Sequence, residues 1–134
     1  MNVEELRVGN IVNFETIYYK VDTVTASGKL VVTAIKKEWK PEPTVITELK
    51  GIELTPEILK QLGFEPLNKA MPHLWTKHVG GYRYIRYHDE VRYMEFEHMN
   101  VFTRIPWPVK YVHQMQNACK DYNLNIEKIF TNIR

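Results

Sequence analysis

Ile52–Phe64, IELTPEILKQLGF, is the stretch in which every local signal agrees. Thr55 offers the side-chain oxygen of a helix N-cap, and Pro56 suits the first helical position because its missing N–H would have no partner there anyway. Glu57 brings negative charge to the first turn, where the helix dipole favours it. Leu54 can fold back onto Leu59 as a hydrophobic staple. Gly63 can take the left-handed conformation that ends a helix, which lets Phe64 close over Leu59. The spacing predicts a helix over residues 55–63 with Ile58, Leu59 and Leu62 on one face. So short a helix is marginal by itself, and it reads as a plug for a sheet.

N-terminal to the plug, Asn10–Phe14 alternates weakly, and Ile17–Val24 and Lys29–Ile35 are rich in β-branched and aromatic residues. Ser27-Gly28 fits a turn between the last two, which predicts a hairpin. Lys36–Thr44, KKEWKPEPT, reads as an exposed loop carrying Trp39, and Val45–Leu49 as a strand feeding the helix. Residues 1–50 thus form a lobe of strands, and Gly9 followed by short strands suits an SH3-like barrel.

C-terminal to the plug, Glu65–Pro72 reads as a linker, and then the composition changes. Nine aromatic residues and all five histidines fall between His73 and His113. A two-residue turn at Gly80-Gly81 sets Trp75 opposite Arg86 and Lys77 opposite Tyr84. A two-residue turn at Asp89-Glu90 sets Arg86 opposite Tyr93, and one at Met99-Asn100 sets Arg104 beside Glu95. One face of the resulting antiparallel sheet, over residues 73–105, collects Leu74, Ile85, Tyr87, Met94 and Phe96 as a core face. Pro106 ends the last strand, and Pro108 suits the first turn of a helix over 108–122 with Val109, Val112, Met115, Cys119 and Tyr122 as its stripe. Residues 123–134 fit a short helix or an edge strand. The expected fold is a single α+β domain over residues 1–134, with antiparallel sheets, a short central helix and a longer C-terminal one.

Composition narrows the function classes. The chain of 134 residues is 44% hydrophobic, enough for one real core, and its formal net charge of +2 lacks the excess of a dedicated nucleic-acid binder. Cys119 is the sole cysteine, which excludes an intrachain disulfide and a cysteine-rich zinc site. The opening MNVEELRVGN is no signal peptide, and no apolar run reaches membrane length, so a cytoplasmic location is expected.

The opening ELRVGNIV, the middle LTPEILKQLGF and the later VKYVHQMQN resemble a family of small uncharacterised proteins of gut bacteria and their phages. Its members show an opening like ELRIGN, a middle like LTEEILLKLGF and an ending like VHQLQNLYFALTGEEL. The match covers about a third of the chain, and after Asn117 this sequence departs from the family's ending with ACKDYNLNIEKIF. The resemblance implies an intracellular accessory protein of phage-derived context and carries no residue roles.

The chemistry with most content lies on the second sheet face. Trp75, Arg86 and Tyr93 in a row would put a guanidinium between two rings, an arrangement that stacks on a planar base. With Tyr84 beside them, Lys77 and Arg104 would hold phosphates and Glu95 would accept from a base edge. These residues form the candidate binding site of a non-catalytic module for a nucleotide-like ligand or nucleic acid, for example one that sequesters a nucleotide signal. The plain structural reading of the same pairs is cross-strand support, worth roughly 0.2–1 kcal/mol each. A face so rich in rings also suits burial against a protein partner or a second copy, which makes a self-associating accessory protein the alternative. A histidine-based phosphodiesterase or nuclease comes third. His73 and His78 are five residues apart, which suits shared ligation on neither a strand nor a helix, and HExxH, GxSxG and phosphate-loop patterns are absent. Neither a cofactor nor a bound metal is expected.

Overall fold

The computed structural model describes residues 5–14, 17–24, 30–34, 43–46, 50–125 and 129–130. Two antiparallel sheets and two helices make the α+β fold. The first sheet is a meander of β1 (Ile11–Phe14), β2 (Ile17–Val24), β3 (Leu30–Ala34) and β4 (Pro43–Ile46), in that order. An isolated antiparallel bridge from Lys50 to Asn13 brings the chain back to the free side of β1. The predicted hairpin at 17–35 is present as β2 and β3, with Val21 opposite Val32. Its turn, Trp39, and residues 47–49 and 131–134 lie outside the described residues.

The plug forms as its local signals require. α1 (Pro56–Gln61) is capped by Thr55, whose hydroxyl oxygen accepts from the Ile58 N–H at 3.3 Å. Gly63 takes φ 85°, and the Phe64 N–H donates to the Leu59 carbonyl at 2.9 Å. Leu54 and Leu59 are both fully buried in one cluster. Burying a leucine side chain stabilises the fold by about 1.5–3 kcal/mol, more than the cap contributes.

The second sheet runs β5 (Glu65–Asn68), β6 (Met71–His78), β7 (Arg83–His88), β8 (Tyr93–His98) and β9 (Val101–Arg104) in sequence order. The expected linker at 65–72 is therefore corrected in part. Glu65–Asn68 pairs with β6 as an edge strand, where Pro66 is tolerated because one side of an edge makes no ladder. α1 and α2 (Val112–Asp121) both contribute to the core on the sheet's inner face, where Trp75, Ile85, Tyr87, Met94 and Phe96 meet Leu59, Val112, Met115 and Cys119. Ile11 of the first sheet joins this cluster. Leu6, Val12, Val21 and Val32 form a second, smaller core on the opposite face of the first sheet.

α2 starts at Val112, four residues after the expected start, because the preceding backbone is already engaged. The Val109 N–H donates to the Arg92 carbonyl at 2.8 Å, and the Val109 carbonyl accepts from the Tyr87 hydroxyl at 2.5 Å. The Lys110 carbonyl accepts from Leu54 N–H, and Val112 N–H donates to the Ile52 carbonyl. With Val109 and Lys110 already bonded to Arg92, Tyr87 and Leu54, the backbone before Val112 is not free to make helical bonds. The Gln114 side chain then accepts from the Tyr111 N–H at 3.1 Å, half of a capping box.

The polar residues of α2 fasten the N-terminal segment. Gln116 accepts from the buried Ile11 N–H at 2.8 Å and donates to the Gly9 carbonyl at 3.2 Å. Asn117 accepts from the Asn10 amide at 2.8 Å and donates to the Glu5 carbonyl at 2.6 Å. His113, fully buried and stacked on Tyr111, meets the Glu5 carboxylate at 3.1 Å. ELRVGNIV and VKYVHQMQN, far apart in sequence, thus close on each other as one polar seam.

Candidate functional site

Three hairpin loops decide what the second sheet presents to solvent. The β8–β9 loop has the two residues expected, Met99 and Asn100, both at positive φ, and it sets Glu95 opposite Arg104 as the sequence predicts. The β7–β8 loop has four residues instead of two, with Arg92 at φ 65°. Its extra pair shifts the register by two, so the faces are kept while the partners change: Arg86 stands opposite Glu95 and His88 opposite Tyr93. Between β6 and β7 five residues, 79–83, separate the paired His78 and Tyr84, the last of them already in β7. Val79 N–H donates to the Arg83 carbonyl and Arg83 N–H to the Gly80 carbonyl, so both glycines sit at positive φ as expected but inside a wider loop.

An odd-length change turns every β6 side chain to the other face relative to β7. Trp75 therefore stands opposite Tyr87, not Arg86, and points inward at 4% exposure, while Leu74 moves to the outer face. The Trp75 indole N–H donates to Asp89 Oδ2 at 2.8 Å. Lys77 also lies on the inner side and donates to the Leu62 carbonyl at 2.7 Å, completing the C-terminal end of α1. Burial lowers the pKa of its amine. The expected row of indole, guanidinium and phenol is thus corrected: Trp75 and Lys77 are divided by the sheet from Arg86 and Tyr93.

The other five predicted residues, Tyr84, Arg86, Tyr93, Glu95 and Arg104, do share the outer face, and there they mostly satisfy one another. Arg86 pairs with Glu97 at 2.7 Å and lies over the Phe102 ring, 5.0 Å from its centroid. Arg104 pairs with Glu95 at 2.6 Å and lies over the Tyr93 ring at 4.1 Å. Tyr84 sits against His78 and Tyr93 against His88. Each guanidinium is thus held between a carboxylate and a ring, and the two arginines are matched by the two glutamates of β8. A phosphate would have to displace Glu95 or Glu97 first. Glu97 and Phe102 were not among the predicted site residues, although two-residue alternation along β8 and β9 places them beside Arg86.

At the end of the sheet where the β6–β7 and β8–β9 loops meet, apolar side chains reach solvent: Tyr82, Met99 and Phe102 are 71%, 66% and 48% exposed, and Val101, on the other face of β9, is 67% exposed. Met99 N–H reaches the Tyr82 carbonyl, which ties the two loops together. β9 is also the last strand of its sheet, and every one of its residues is exposed. In an antiparallel ladder hydrogen-bonded and non-bonded pairs alternate. Because the Ile105 N–H donates to the Met94 carbonyl, the bonded positions are Ile105, Thr103 and Val101. The N–H and C=O groups of Phe102 and Arg104 therefore point away from β8, and no described strand meets them.

Elsewhere the chemistry is closed. Asp89 is shared by Trp75 and His73, and the other His73 nitrogen lies 3.1 Å from Glu90. Cys119 is buried, and desolvation pushes its thiol far above the usual range. Among the described residues no three histidine, cysteine or acidic side chains gather as metal ligands. A cleft of about 330 Å3 between Glu5, Arg7, Trp107 and α2 has Arg7 already paired with Asp121 at 2.6 Å. No helix in the described residues is long and apolar enough to cross a membrane. No protein-family model, curated protein or solved structure matches this chain.

Proposed function

We propose that this protein is a non-catalytic interaction module whose open β9 edge takes an extended segment of a protein partner as an added strand, in the accessory role that the resemblance implies. The observation that carries the reading is the pairing-competent backbone of Phe102 and Arg104 beside the exposed apolar side chains Val101, Phe102 and Met99. Main-chain hydrogen bonds would supply affinity and the apolar neighbours specificity. Sheet edges that are not used are commonly blunted by proline, charge or a bulge. β5, at the other edge, has Pro66, Glu65 and a register shift next to Pro66, whereas β9 has neither proline nor register shift, and its one charge, Arg104, is paired with Glu95. The nucleotide-like ligand is the weaker reading, since Arg86 and Arg104 are spent on Glu97 and Glu95.

The test is a random peptide library displayed on yeast and selected against the immobilised protein. Extended peptides with alternating apolar residues should be enriched, and their binding should be lost in Phe102→Pro. That substitution removes a donor pointing out of the sheet and spares the ladder to β8. No enrichment, or enriched peptides indifferent to Phe102→Pro, overturns the reading. A nucleotide panel in thermal shift should give no stabilisation, and a clear rise with one nucleotide would return the face to a ligand.

A further inference from the structure

We infer that the strand which completes this edge is β9 of a second copy of the chain, paired antiparallel about a two-fold axis through Thr103; the inference rests on the strand-addition reading above. A two-fold axis perpendicular to a sheet keeps outer faces together only if residues of like parity stand opposite. With Thr103 on the axis, Phe102 of each copy faces Arg104 of the other. Both are the residues whose backbone groups point out of β8, so each of the two pairs can exchange two hydrogen bonds. With Phe102 on the axis instead, only one bonded pair would lie within the strand.

The side chains fit the Thr103 register by the rule the face already follows. Arg104 lies over Tyr93 on the neighbouring strand, and Arg86 reaches past β8 to lie over Phe102. Pairing across the edge continues this, setting each Arg104 beside the partner copy's Phe102 ring without bringing like charges directly opposite. Each Arg104 keeps its own Glu95, so the seam does not accumulate charge. Pro106 limits the paired length just after Ile105. Strands of four residues bury less than the roughly 1,600 Å2 of a stable complex, so the pair should be weak and dependent on concentration.

Sedimentation equilibrium should show the apparent mass climbing from 15.9 kDa toward twice that as the chain is concentrated from ~1 μM to ~1 mM, the range for a small interface. Thr103→Cys, oxidised at high concentration, should yield a disulfide-linked pair, since residues on the axis in a non-bonded position come within about 5 Å at Cα. Val101→Cys should not, its two copies being roughly 13 Å apart along the strand. Dilution or the added change Phe102→Pro should abolish the Thr103→Cys product, with circular dichroism showing both variants folded. Constant monomeric mass together with no Thr103→Cys product overturns the proposal, as does equal cross-linking at both positions or cross-linking at Val101→Cys alone. Selected peptides that still bind the edge of a monomeric protein would leave strand addition standing and sink only the second copy as occupant.

Discussion

The two faces of the five-stranded sheet draw on the same residue types and use them in opposite ways. On the inner face the rings of Trp75, Tyr87 and Phe96 are buried, and their polar atoms are fixed, the indole by Asp89 and the phenol by the Val109 carbonyl. On the outer face Tyr93 and Phe102 are platforms for arginines that are neutralised by glutamates. Ring content alone therefore does not mark a ligand site. On the outer side the Arg86 Nε has no partner but is buried, whereas the unpaired backbone of β9 lies open at the sheet edge, which favours pairing along a strand over stacking on side chains.

The sharpest way to break this comparison is Trp75→Ala. If the indole is core, thermal or urea unfolding should show a loss of about 3–5 kcal/mol; a stability within about 0.5 kcal/mol of the parent would return it to the surface. Next in size is Gln116→Ala, which strands the buried Ile11 N–H and should cost about 1–3 kcal/mol. Glu97→Ala leaves Arg86 half-buried with one partner fewer and should cost roughly 1–2 kcal/mol. Arg104→Ala, at an exposed pair, should cost no more than about 0.5 kcal/mol, and a larger loss would mean that the outer face supports the fold as much as the inner one does.

The smallest effect expected is a drift with pH. Burial lowers the pKa of His113 from its ordinary 6.5, against a weaker opposing pull from Glu5. The folded state then binds fewer protons than the unfolded state just below that value, so stability falls as pH falls through the window beneath 6.5. The unfolding midpoint should drop between pH 7 and pH 5, and His113→Phe should flatten that slope; an unchanged slope would show that other groups set it.

Much of the architecture was legible because it rests on signals acting within one turn of chain. Thr55, Pro56 and Gly63 specify α1 through bonds to residues three or four positions away. Met99-Asn100 specifies the β8–β9 register in the same way, and with it the Glu95–Arg104 pair. The stripe Val112, Met115, Cys119 marks the buried side of α2. β5 was not legible, since a charged, proline-containing segment reads as a linker until β6 is there to pair with it. Nor was the role of His113, Gln116 and Asn117, which look like an ordinary polar flank until Glu5, Gly9, Asn10 and Ile11 arrive beside them from the other end of the chain.

Local signals in the chain were enough for the plug helix, the antiparallel sheets around it, the later helix and the sharing of one sheet face by Tyr84, Arg86, Tyr93, Glu95 and Arg104. The side on which Trp75 and Lys77 lie was settled by packing across the whole fold. Gly80 and Gly81 both take positive φ, which suits a tight turn and the wider loop alike, whereas burial of the indole is a large gain that only one of the two registers allows. A strand's faces alternate with every residue, so the larger, non-local term chose the loop, and the loop turned the strand over.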